Sequence, residues 1–160
     1  MKPPSLLLLS SCLLLVGCGK KESAEAPAAA APNGAAVFTL TADDTMKYNL
    51  TRLEAAAGQT VQLTLTNVGT LPKQAMAHNW ILLKRGDDPA AFANAAVAHQ
   101  AQDYFPPELA SEVLAHTRLL GPKQSDTITF KAPAEPGEYP FLCSFPAHFL
   151  TGMKGVLVVH

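Results

Sequence analysis

The chain has 160 residues, 48% of them hydrophobic, which allows one globular domain with a real core but not two comfortable ones. A formal charge of −1, from 12 basic and 13 acidic side chains, argues against a nucleic-acid partner, whose phosphates would call for a basic face.

Taken from the start, Lys2 precedes the apolar runs Leu6–Leu9 and Leu13–Val16, which Ser10, Ser11 and Cys12 interrupt. The stretch is too short and too broken to span a bilayer and reads as an export leader over residues 1–17. It ends in "LVGC" at 15–18, which resembles the lipobox of bacterial lipoproteins and so implies that Cys18 is acylated as the first mature residue. Acyl chains tether a protein to a membrane without spanning it. Cleavage would remove only Lys2 among the charges, leaving 11 basic against 13 acidic residues, or −2. Of three cysteines, Cys12 leaves with the leader and Cys18 is consumed by lipid. Cys143 then stands alone in an oxidising compartment, which leaves intermolecular pairing, a reactive thiol or a metal thiolate as its explanation.

Residues 18–36 carry alanine, proline and charge but no large apolar side chain, the composition of a flexible tether. The head, 37–160, reads as all-β. "VFTLTA", "KYNLTRLEA", "TVQLTLTN", "HNWILL", "DTITF", "EYPFLC" and "GVLVVH" are short strand candidates, separated by glycine and proline turns. Strands of this number and length favour an antiparallel sandwich or barrel. Residues 88–115 break the pattern. Asp88 can cap a helix that has Pro89 at its first position, and a second short helix can start at Glu108, together an inserted helical flap.

The chemistry concentrates in "FLCSFPAHFLTGM", 141–153, with Cys143, His148 and Met153, and in "AMAHNW", 75–80, with His78. One thiolate, two imidazoles and a thioether form the donor set that suits copper in both of its oxidation states. Read singly, Cys143 and Met153 would be core residues and His78 a satisfied polar group; read together they form a metal centre. His99, His116 and His160 carry no such pattern and read as ordinary histidines, and Trp80 reads as core.

"LPKQAMAHNWIL" and "YPFLCSFPAHFLTGMKGVLVV" resemble the two copper segments of the azurins, blue-copper members of the cupredoxin family. "ADDTMKYNL" and "VLAHTRLLGPKQSDTITF" resemble further azurin segments, so the likeness covers most of 37–160. The resemblance implies a cupredoxin-like Greek-key sandwich or barrel that binds one copper ion. His78, Cys143 and His148 would be equatorial ligands, Met153 the axial one, and the Ala77 carbonyl a weak further contact. Asn79 and Ser144 would bridge the ligand loops by hydrogen bonds. Part of the set Met46, Leu71, Met76, Phe145 and Leu150 would form an apolar docking patch around an exposed edge of His148. There are three departures from the azurin pattern. Four residues rather than three separate His148 from Met153, Ala77 and Ala147 stand where azurins have glycine, and the azurin disulfide is missing.

The function implied is that of a non-enzymatic one-electron carrier with no small-molecule substrate. Its redox partners would be proteins such as c-type cytochromes or a terminal oxidase or reductase. The lipobox and alanine-rich tether are similar to those of the lipid-anchored azurins, which points to the bacterial envelope, at the periplasmic face or cell surface; Gly19, not the aspartate associated with inner-membrane retention in some bacteria, favours the outer membrane. Copper delivery or storage is the alternative, and a copper reductase or a cysteine nucleophile a third.

Overall fold

A computed structural model describes residues 29–30 and 34–160; the expected leader, Cys18 and most of the expected tether lie outside the described residues. The strands are β1 (Ala29–Ala30), β2 (Ala36–Ala42), β3 (Arg52–Ala55), β4 (Thr60–Asn67), β5 (Ile81–Leu83), β6 (Val113–His116), β7 (Ser125–Lys131), β8 (Gly137–Leu142) and β9 (Lys154–Val159). They form a four-stranded sheet in the order β1-β2-β4-β7 and a five-stranded sheet in the order β3-β9-β8-β5-β6. The result is an open sandwich rather than a closed barrel.

Strand alternation builds the core. On β4, Val61, Leu63 and Leu65 are buried while Gln62 is exposed, and β2 faces inward through Phe38 and Leu40. Between the sheets these side chains meet Trp80, Phe141, Leu53 and Leu157. The pairing is not antiparallel throughout. β2 runs parallel to β4, and β3 parallel to β9. The cause is the path of the chain: β3 is laid in the opposite sheet between β2 and β4, so β4 returns beside β2 in the same direction. Part of the stretch read as tether is paired, Ala29 and Ala30 lying opposite Val37 and Ala36.

The flap starts as expected. Asp88 accepts a hydrogen bond from the Ala90 N–H at 2.8 Å and caps α1 (Pro89–Ala96). Two 3-10 segments follow, Gln100–Gln102 and Pro107–Glu112. The flap ends at Glu112 rather than 115, because Val113 and Ala115 turn inward while Leu114 and His116 turn out, a period of two that lets β6 pair with β5. Two strand candidates are also shorter than expected. Only Arg52–Ala55 of 47–55 is strand, and only Ile81–Leu83 of 78–83, with Tyr48 and His78 held by isolated bridges to Ala42 and Leu120.

This topology brings the expected ligands to one end. β9, β8 and β5 are neighbours in successive antiparallel register. His78 precedes β5, Cys143 follows β8 and Met153 precedes β9, so all three lie at the same edge of the sheet, and the 143–153 loop closes over it.

Candidate metal centre

His78 sits at the end of a loop that other loops hold in place. The Asp44 carboxylate accepts hydrogen bonds from the Thr70 N–H and hydroxyl, both at 2.9 Å. These bonds and the backbone amide of Leu71 hold the Asp44 carboxyl below its ordinary value, the Thr70 amide contributing most. A Cβ on Gly69 would lie 2.3 Å from Asp44 Oδ1, so glycine is needed for this approach. The Pro72 carbonyl accepts from the Ala75 and Met76 N–H groups at 2.9 Å, turning the chain toward His78. His78 is then fixed by a reciprocal backbone pair with Leu120, at 3.1 and 2.8 Å.

The 143–153 loop is tied end to end. The Cys143 N–H donates to Met153 O at 3.1 Å, and the Met153 N–H to His148 O at 2.9 Å. The extra residue between His148 and Met153 is absorbed in a tight turn, in which the Thr151 N–H donates to Ala147 O and the Gly152 N–H to Phe149 O, at 3.1 and 3.0 Å. From outside the loop, the Lys47 ammonium donates to Thr151 O, and the Thr151 hydroxyl lies 3.8 Å from the Met46 sulfur. Ala147, one of the two alanines in glycine positions, has φ 70°, so its Cβ bears left-handed strain of about 1–2 kcal/mol.

These constraints bring the donors together. The Sγ of Cys143 and one ring nitrogen each of His78 and His148 lie within 4.8 Å of one another, and Cys143 Sγ is 3.5 Å from His148 Nδ1. All three residues are buried, and Met153 is fully buried beside them. Neither buried ring nitrogen of His78 has a hydrogen-bond partner, which is costly unless something else satisfies them. Burial pushes the Cys143 thiol up to about 12 against the pull of the Asn79 and Phe145 backbone amides. Burial, with the His78 charge adding, brings His148 down to about 4. Burial also lowers His78, opposed by the nearby Asp43 carbonyl, which lies outside hydrogen-bond geometry, and by the Asp43 and Asp44 carboxylates. Two neutral imidazoles offering lone pairs, one soft sulfur and a nearby thioether fit a copper ion that cycles between its two charges.

Asn79 and Ser144 bridge the loops as expected. Asn79 Nδ2 donates to Ser144 Oγ at 2.8 Å, and the Ser144 N–H donates to Asn79 Oδ1 at 2.9 Å. Sequence reasoning missed Tyr48, whose buried hydroxyl donates to the Asn79 carbonyl, and also Asp44 and Lys47. Tyr48 was within reach as an aromatic in a strand-like segment; nothing in the local pattern marked the other two.

The expected docking patch needs correction. Leu150 is 79% exposed and Leu71 43%, and Met46 and Met76 are half-buried. Phe145, however, is only 8% exposed, because its ring is sandwiched between those of Tyr104 and His148, with centroids at 5.0 and 4.8 Å. His148 itself is 1% exposed, so the ring presents no open edge; Phe145 and the His78 ring, 4.9 Å away, pack against it. Among the described residues the donor cluster contains neither His99 nor His116. His99 pairs with Glu108 within the flap at 2.9 Å, and His116 packs on Phe105.

The family model described as copper binding proteins, plastocyanin/azurin family, matches residues 35–160. Auracyanin-B of Chloroflexus aurantiacus is 39% identical across 82% of this chain, and the match spans 59% of that relative's length. Azurin of Achromobacter denitrificans is 37% identical across 74% of this chain and 80% of the relative. Among solved structures, the dithionite-reduced auracyanin of Roseiflexus castenholzii has a TM-score of 0.69 at 36% identity, covering 78% of this chain and 96% of that one. Auracyanin A of Chloroflexus aurantiacus, described as a "blue" copper protein, has a TM-score of 0.69 at 32% identity, covering 79% of this chain and all of that one. Fold, donor set and relatives agree, and the chain belongs to the plastocyanin/azurin family of copper-binding proteins, blue-copper cupredoxins whose general function is electron transfer.

Proposed function

We propose that this protein carries single electrons between redox partners at the bacterial cell envelope. One copper ion would be held by His78, Cys143 and His148, with Met153 as a weaker fourth donor and the Ala77 carbonyl as a weak further contact. Bound copper supplies the one-electron couple. The chain's part is to hold a sulfur and two neutral imidazoles in one geometry, to exclude water, and to keep both states acceptable to the same donors. Asn79 and Ser144 lock the two ligand segments together, and Tyr48 anchors the first of them.

The observation that carries this reading is the convergence of a buried thiol on two buried histidines, one of them with both nitrogens unpartnered. Burial also favours a carrier over copper delivery or storage, which needs donors that an acceptor can reach. The exposed Leu71 and Leu150, with Met46 and Met76, would dock partner proteins such as c-type cytochromes or a terminal oxidase or reductase. Electrons would cross the thin layer of side chains over His148 rather than an open ring edge. The lipobox-like "LVGC" supports an acylated Cys18 and tethering at the periplasmic face or cell surface, the outer membrane being favoured. Among the described residues no helix is long and apolar enough to cross a membrane.

The test is to add Cu(II) to the purified protein and record its visible and electron-spin spectra. An intense thiolate-to-copper band that Cys143→Ser abolishes supports the reading, and a colourless wild-type protein overturns it. Slow copper loss to a chelator with fast reversible redox fits a carrier, and ready loss fits delivery.

A further inference from the structure

The flap is joined to the metal centre at two places. Its α1 residue Phe92 belongs to an apolar cluster with Ile81, Leu83, Leu142 and Phe149, which includes the residue before Cys143 and the residue after His148. The second contact is more specific. At the turn between the 3-10 segments, Asp103 and Tyr104 have φ 53° and 59°, two successive side-chain-bearing residues in the left-handed region. That conformation is costly for a residue with a Cβ and persists only where its surroundings enforce it. Here the Asp103 N–H donates to Gln100 O at 3.1 Å, the Tyr104 N–H donates to His99 O at 2.9 Å, and the Asp103 carboxylate pairs with Lys73 at 3.3 Å. The strained turn aims the Tyr104 ring at Phe145, edge to face at 68°, and Phe145 in turn lies 4.8 Å from the His148 ring. A cavity of about 240 Å³ opens beside this stack, lined by Lys73, Gln74, Asp103, Tyr104, Leu119 and Phe145.

We propose that Tyr104 is a positioning residue of the metal centre: its ring seats Phe145 against His148 and keeps the water of this flap-side cavity from the donors. The inference rests on the copper reading above. An edge-to-face ring pair attracts beyond its burial alone, which holds Phe145 against His148. Truncating Tyr104 would enlarge the cavity toward Phe145 and bring water closer to His148. Solvent stabilises the more highly charged form of a centre, and with one thiolate the cupric site carries one positive charge while the cuprous site carries none. The reduction potential should therefore fall.

Wild type, Tyr104→Phe, Tyr104→Leu and Tyr104→Ala are loaded with copper and titrated in a redox buffer. Cys143 is labelled in the four apoproteins with a small thiol reagent. Tyr104→Phe should match wild type in both. Tyr104→Ala should show a reduced-to-oxidised ratio at least threefold lower at a fixed ambient potential, about 28 mV at ~59 mV per decade for one electron. Its apoprotein should label several-fold faster, with Tyr104→Leu in between. A wild-type potential and labelling rate in Tyr104→Ala would overturn the proposal, as would an equal shift in Tyr104→Phe, which would assign the effect to the hydroxyl. If Tyr104→Ala does not fold, Tyr104→Leu decides on the same readouts. If the wild type takes up no copper, the copper reading falls, while the apoprotein labelling still decides whether Tyr104 seats Phe145.

Discussion

Replacing Asn79 by alanine tests the bridge between the two ligand segments. The side chain makes two hydrogen bonds, both to Ser144, and both residues are buried, at 3% and 1% exposure. Truncation leaves the Ser144 N–H and its hydroxyl without these partners, and each stranded buried group costs about 1–3 kcal/mol. The expected loss is about 2–6 kcal/mol, a large fraction of the ~5–15 kcal/mol that stabilises a typical domain. Ser144→Ala strands only Asn79 Nδ2 and should cost about 1–2 kcal/mol. The double variant should lose less than the sum, because the two changes remove one shared bond. Urea unfolding of the apoproteins, with slopes unchanged, reads these values directly. An Asn79→Ala loss below about 0.5 kcal/mol, or strict additivity with Ser144→Ala, would refute the view that these bonds hold the loops together.

Ala147→Gly should relieve left-handed strain of about 1–2 kcal/mol and add back roughly 0.4–1 kcal/mol of unfolded-chain entropy, a net gain of up to about 1.6 kcal/mol in thermal or urea unfolding. Gly155→Ala should cost about 2 kcal/mol or more in the same assay, since its Cβ would lie 2.2 Å from the Thr51 carbonyl oxygen and 2.3 Å from Phe141 Cζ. Copper uptake at pH 7 should release about one proton, from Cys143 held at about 12, because His148 at about 4 and the lowered His78 are already neutral; calorimetry in buffers of differing ionisation enthalpy counts it. The sign for stability follows: the depressed His148 favours folded apoprotein above about pH 6.5, and that contribution is lost as the pH falls through about 4, so acid unfolding should move to lower pH once copper is bound.

The donor set was legible because chemistry restricts it: few arrangements account for Cys143, His148 and Met153 in one loop with His78 in an apolar segment. The strands were legible where alternation was clean, as over 60–67. Val113–Ala115 reads as flap because the alanine-rich run before it hides a short alternation, and the pairing of β6 with β5 is a long-range fact. The exposed edge of His148 was carried over from a family pattern. Exposure depends on what the other loops and the flap place over a ring, and the residues that decide it, Phe145 and Tyr104, are 41 positions apart. Lys47 could not be read at all, since its bond to the ligand loop spans 104 positions.

The extra residue in the ligand loop need not loosen the site, because the loop is restrained at its ends and not along its length. Cys143 and Met153 share a backbone bond, and each is continuous with a strand of the β8–β9 pair, whose last register pair is Leu142 with Lys154. Added length therefore has to bulge outward, and it does so as the turn that carries the exposed Leu150. The donors at the base keep their places while the outer surface changes. By this logic loop length acts first on the docking surface and only weakly on the geometry of the donors, whereas residues that reach the base from the side act on its support: Asn79 through Ser144 and, on the proposal above, Tyr104 through Phe145.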